Sequence, residues 1–140
     1  MRFEEAEFDA CRRCSCLALR RASRAVTQHY EASFRGSGMR ATQFTVLSAL
    51  AITGPVTVSR LAKILGMERT TLTRNLRPLE VSHWINVTSD EKDQRVRRIM
   101  LTPRGRAAAT AALPAWQNAQ ANAGPLLQRL GIRLAPAAKT

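Results

Sequence analysis

Apolar residues recur at intervals of three and four between Asp9 and Phe34. Cys14, Leu17, Ala18, Ala22, Ala25, Val26 and Tyr30 form one stripe with Arg12, Arg13, Arg20 and Arg24 between them, which predicts an amphipathic helix over 9–34. Gly36-Ser37-Gly38 closes it. A second helix is expected from about Thr42 to the Gly54-Pro55 break, carrying Phe44, Leu47, Leu50 and Ala51. Thr57 is placed to cap a short helix with Leu61, Ala62, Ile64 and Leu65, which Gly66 ends. Over 69–81, Leu72, Leu76 and Leu79 fall within about 60° of one another on a helical wheel, and Thr70, Thr73, Arg74 and Arg77 point the other way.

Trp84, Ile85 and Val87 predict a strand, Ser89 to Gln94 a polar turn, and Arg97 to Leu101 a returning strand with Ile99 and Leu101 on one face. Thr102-Pro103 opens a further helix bearing Leu113 and Trp116. Pro114 is expected to bend or break it, and it should stop before Gly124-Pro125. A short last helix is expected over about 126–134. Two short helices joined by a Gly turn and followed by a hairpin make a winged helix-turn-helix. The fold expected is therefore mainly α with a small β-hairpin wing. One domain over 1–140 holds a 42–101 lobe flanked by terminal dimerisation helices, 9–34 and 103–134.

Charge sharpens the reading. The chain has 140 residues and a net charge of +12, from 22 Lys and Arg against 10 Asp and Glu. Only Lys63, Lys92 and Lys139 are lysine, and a guanidinium fork suits phosphates and base edges. Residues 60–106 carry 11 of the basic and 5 of the acidic side chains, a net of +6. The uncharged stretches 41–59 and 107–128 are too broken by polar residues to span a membrane, so no membrane partner is expected. Arg2, Glu4, Glu5, Glu7 and Asp9 are incompatible with a signal peptide, and the expected location is the cytoplasm.

The outward face of the 69–81 helix supplies the groups a major groove reads, Arg for guanine and Thr for hydroxyl or methyl contacts. Arg69, Thr70, Thr71, Thr73, Arg74 and Arg77 are those candidates, with Ser59 placed for phosphate. In the hairpin, Lys92, Arg95, Arg97 and Arg98 cluster near the tip, and an Arg there suits a narrow minor groove. Asp93 lies two residues from Arg95 and is expected to orient it. Double-stranded DNA is thus the expected partner, a non-specific basic nucleic-acid binder being the alternative. With 7 aromatics in all, few are left over for stacking on single strands. No nucleophile-base pair, phosphate loop or metal-ligand spacing stands out, so neither an enzyme, a cofactor nor a metal is expected.

The run GPVTVSRLAKILGMERTTLTRNLRPLE, followed by DEKDQRVRRIMLTPRGR, resembles the multiple-antibiotic-resistance regulator (MarR) family over roughly residues 11–120, most tightly over 54–106. The resemblance implies a homodimer on a near-palindromic operator, usually a repressor released by a small phenolic or other effector, or by oxidation. It implies recognition through Thr70, Thr71, Thr73, Arg74 and Arg77, with Arg95 at the wing tip and Asp93 its support. Two departures bear on geometry: His83-Trp84 stands where the family has Gly-Leu, and Pro78 lies inside the recognition helix.

Cys16-Leu17-Ala18-Leu19, with Thr27 and Tyr30 following, is similar to the organic-hydroperoxide-sensing branch of that family. That likeness implies Cys16 as a redox switch served by Tyr30, Arg20 and Ala41 standing at the other two tyrosine positions. Cys16 and Tyr30 are 14 residues apart, about 21 Å along one helix, so any contact must come across a dimer. A free cysteine also often simply packs, and Cys11-x-x-Cys14 with two distant histidines is a poor zinc site. Tyr30, Phe44, Leu47 and Trp116 are candidates for an effector cleft or for core.

Overall fold

A computed structural model describes residues 5–134; Arg2, Glu4 and Lys139 lie outside them. A 3-10 segment, Glu5–Arg13, leads into α1 (Ser15–Phe34), α2 (Ala41–Thr53), β1 (Val56–Thr57), α3 (Val58–Leu65) and α4 (Arg69–Val81). Then come β2 (Ile85–Ser89), β3 (Arg97–Leu101), α5 (Pro103–Ala121) and α6 (Gly124–Arg129). The first helix therefore starts later than the hydrophobic stripe predicts. Cys14 adopts an extended conformation and its Sγ accepts the Leu17 N–H at 3.5 Å, a cap that ends one helix type and begins the next.

The lobe is built around side chains with essentially no exposure: Val46, Leu47, Leu50, Leu61, Leu72, Leu79, Ile85 and Ile99. These come from α2, α3, α4 and the sheet, so helix-turn-helix and wing share one core. The sheet has three antiparallel strands in the order β1-β3-β2. Val87 pairs with Ile99 and Ile85 with Leu101, so the apolar face of the hairpin meets the helices. The third strand, β1, was not expected; at two residues it is too short to show a period-two pattern, yet Val56 pairs with Ile99 and ties the helix-turn-helix to the wing.

His83 resolves the first departure. Its φ is 57°, the left-handed conformation usually left to Gly. The Trp84 N–H reaches the Leu79 carbonyl at 3.0 Å and the His83 N–H reaches that of Glu80 at 2.9 Å, so α4 still ends in a full Schellman motif. Thr102 then fastens this corner to α5. Its N–H donates to the Trp84 carbonyl (3.0 Å), its Oγ1 donates to the His83 carbonyl (2.7 Å), and the same oxygen accepts the Gly105 N–H (2.9 Å).

Two C-terminal expectations change. Pro114 does not break α5, which runs unbroken from Pro103 to Ala121. A proline costs one hydrogen bond there, while Ala109, Ala112 and Ala119 stay buried and hold the helix in place. The last helix begins earlier and ends earlier than expected, with Pro125 in its first turn and Gly131 (φ 66°) beyond its end.

Against α5, α1 makes a polar seam. His29 Nε2 lies 2.8 Å from the Ala119 carbonyl, Ser33 donates to the Ala115 carbonyl at 2.7 Å, and Tyr30 donates to Gln120 Oε1. Phe34 is the buried residue of α1, and Leu17 and Leu19 at its start are at least half exposed. The predicted stripe is present but only its second half is covered within one chain.

Candidate nucleic-acid interface

Local forces set the two short helices. Thr57 Oγ1 accepts the Arg60 N–H at 3.2 Å and starts α3. Gly66 (φ 63°) stops it and reverses the chain, with its N–H on the Lys63 carbonyl and that of Met67 on Ala62. Burial of Leu72, Leu76 and Leu79 fixes the roll of α4 and leaves Arg69, Thr70, Thr71, Thr73, Arg74 and Arg77 exposed. Thr73 Oγ1 donates back to the Arg69 carbonyl at 2.9 Å.

On the wing side of α4 lies a groove of about 340 Å³, floored by Val58, Leu76 and Val87. Arg69, Thr73 and Arg77 of α4 face Arg97 of β3 across it, with Glu80 at one end. An adjoining depression of about 250 Å³ joins Ser59, Arg69, Arg95 and Arg97. Six of the expected residues, Ser59 of α3, Arg69, Thr73 and Arg77 of α4, and Arg95 and Arg97 of the hairpin, thus meet in one cationic trough. At the tip, Asp93 Oδ1 accepts both the Arg95 N–H (3.0 Å) and its Nε–H (3.3 Å). The Arg95 side chain is 92% exposed, held at its root and free at its end.

Arg98 does not join the trough. Strand alternation turns it to the face opposite Arg97, where it pairs with Asp90 Oδ2 at 3.7 Å. Lys92 sits in the exposed turn, its N–H on Asp90 Oδ1 at 3.1 Å, and lines neither depression.

Arg74 lies on the other flank of α4. There it lines a depression of about 240 Å³ with Arg40, Gln43 and Asn75. Sequence reasoning missed Arg40 and Asn75. Asn75 follows Thr71 by one helical turn and so shares its exposed arc, a signal that was present. Arg40 precedes α2 by one residue, and only tertiary packing brings it beside α4.

The sensor candidates divide. Cys11, Cys14 and Cys16 are all exposed, so none packs in the core of this chain. Tyr30 is tied to Gln120 and not to Cys16, and burial raises its pKa above the ordinary value of 10.0. Tyr30, Val26, Thr27, Thr42, Thr45 and Trp116 line a cleft of about 340 Å³ between α1, α2 and α5. Leu47 and Phe44 are core instead: Leu47 is completely buried, and Phe44 supports Trp116 from behind, ring centroids 6.5 Å apart. Among the described residues no group of three or more His, Cys, Asp or Glu could hold a metal, and no helix is long and apolar enough to cross a membrane.

Comparison with known proteins gives a consistent picture. The MarR family model matches residues 39–96. The M. tuberculosis transcriptional regulator MosR, solved in complex with DNA, is 39% identical, with a TM-score of 0.71, over 83% of this chain and 89% of that one. Bordetella bronchiseptica BpsR, whose DNA binding is regulated by 6-hydroxynicotinic acid, is 26% identical over 85% of each chain, TM-score 0.65. Reduced AbfR bound to DNA is 26% identical over 81% of this chain and 85% of that one, TM-score 0.67. No curated protein matches in sequence.

Proposed function

The chain belongs to the MarR family of transcriptional regulators, and on that premise we propose that it is a cytoplasmic, non-enzymatic repressor that binds a near-palindromic operator as a homodimer. The observation that carries this reading is the trough in which Arg69, Thr73 and Arg77 of α4 face Arg97 of the wing. A helix laid in a major groove puts such side chains at base edges and phosphates together. Arg95, anchored by Asp93 at the tip, reaches the adjacent minor groove. Recognition runs through Thr70, Thr71, Thr73, Arg74 and Arg77, with Ser59, Arg69 and Arg97 on phosphate.

Dimerisation rests on α1 and α5, because the exposed Leu17, Leu19 and Leu113 are apolar surface that one chain leaves uncovered. Two wings related by a two-fold axis then meet half-sites about one helical turn apart. Release has two routes. A small phenolic effector suits the Tyr30–Trp116 cleft, whose lining is aromatic and apolar with threonine hydroxyls, and the DNA binding of a relative is regulated by 6-hydroxynicotinic acid. Oxidation of exposed Cys16 is the other, with Tyr30 supplied from the second subunit.

The deciding experiment is selection of bound fragments from host genomic DNA, followed by titration of a recovered duplex against a shuffled one at about 150 mM salt. A specific regulator separates the two by roughly 1,000-fold or more, and Arg74→Ala narrows the gap. Equal affinity for both duplexes refutes the reading in favour of a non-specific basic binder.

A further inference from the structure

The wing accounts for one flank of α4 only. A major groove about 12 Å wide accommodates a single helix about 10–12 Å across, so phosphate strands pass along both of its sides. The flank away from the wing is the depression that Arg40, Gln43, Arg74 and Asn75 line with Thr42 and apolar Val46, Pro78 and Leu79. Every ionisable group in that lining is cationic, whereas the wing-side groove includes Glu80. We infer that Arg40, at the start of α2, is the anchor for the second phosphate strand, so that each subunit grips both strands of its half-site, the wing side one and the α2 side the other. The inference rests on the regulator reading above and adds to it which strand each side holds.

Arg40 is available for this. Its side chain is 73% exposed, and its nearest acid is Glu31 of α1, with Nε 3.8 Å from Glu31 Oε1. That pair is too long for a hydrogen bond and leaves the two terminal amino groups of the guanidinium unengaged by it. Glu31 is itself held, since Oε1 also accepts the Thr42 N–H at 3.4 Å. It is the sole acidic side chain in sequence between Asp9 and Glu68, so the surroundings of Arg40 do little to repel a phosphate. Gln43 and Asn75 add neutral donors on either wall, the kind of group that accompanies arginine at backbone contacts.

The test uses full-length protein and a duplex recovered from host genomic DNA, with a shuffled duplex alongside. Phosphate-ethylation interference on the wild type should mark both strands of each half-site. Arg40→Ala should lose the marks on one strand, and Arg97→Ala those on the other. The plot of log affinity against log salt should become shallower by about 0.9 per subunit in Arg40→Ala. The variant should then lose about tenfold less affinity than the wild type between about 50 and 200 mM salt, and Arg40→Lys should restore the slope. If Arg40→Ala melts early, Arg40→Gln carries the same comparison. An unchanged slope with both strands still marked overturns the inference and leaves the regulator reading intact. Failure of the wild type to separate the two duplexes overturns both.

Discussion

Replacing Gly105 with Ala inverts a familiar sign. Gly105 sits in the first turn of α5, where Ala is ordinarily the better helix former by about 0.5–1 kcal/mol. A Cβ on Gly105 would lie 2.0 Å from the Trp84 carbonyl oxygen, 2.7 Å from its carbon and 2.9 Å from its Cα. These are backbone atoms of the residue leading into β2, so no side-chain rotation relieves the clash. Reaching even 3.0 Å from that oxygen requires about 1 Å of separation between α5 and the α4–β2 corner. The Trp84 carbonyl is also the acceptor for Thr102, whose Oγ1 clasps His83 and Gly105.

Displacement on that scale forfeits one or two hydrogen bonds at about 1 kcal/mol each and adds about 1–3 kcal/mol of overpacking strain. Less the helix-propensity gain, Gly105→Ala should cost about 1–4.5 kcal/mol. Urea unfolding at one fixed subunit concentration reads this as a midpoint lowered by about 0.5–2 M at unchanged slope. Gly124→Ala, where a Cβ meets nothing within 4 Å, is the control and should show no such loss. If Gly105→Ala is as stable as the wild type, the close approach of α5 to the wing corner is not what holds the two together.

Further outcomes follow from other sites. His83→Gly should stabilise by about 0.5–1 kcal/mol in the same urea assay, because Gly takes the left-handed conformation at φ 57° without the penalty a Cβ brings. The ionisation of Tyr30, the chain's one tyrosine, can be followed by phenolate absorbance, and its midpoint should lie above 10.0 in native protein and fall on unfolding. A native pKa raised by burial means its contribution to stability is whole below pH 10.0 and is lost as pH climbs through the higher native value; Tyr30→Phe should remove that part of the alkaline decline. Asp93→Ala frees Arg95 at its root, and operator affinity should fall several-fold in a fluorescence-anisotropy titration; an unchanged affinity would show that the wing tip needs no such support.

Much of this protein is local. The leucine spacing in 69–81, the Thr57 cap, the Gly66 stop and Thr102-Pro103 all concern neighbours within one or two turns, and each behaves as the chain order predicts. The exposed arc of α4 follows from the same arithmetic, since burying Leu72, Leu76 and Leu79 leaves no freedom in where Arg69 and Arg77 point. At His83 the sequence leaves two endings open, a left-handed residue or a different helix end, and the hydrogen bonds from Trp84 to Leu79 and from His83 to Glu80 select the first.

What distance along the chain hides, packing decided. The pairing of β1 with β3, Arg40 beside Arg74, and the corner where Gly105 meets Trp84 join residues tens of positions apart, and no periodicity encodes such a meeting. Arg97 and Arg98 are adjacent and chemically identical, yet one enters the trough and the other turns to Asp90. The physical reason is a single alternation of the strand: its phase is set by Ile99 entering a core shared with α2, α3 and α4, and that core exists only once all of them have come together.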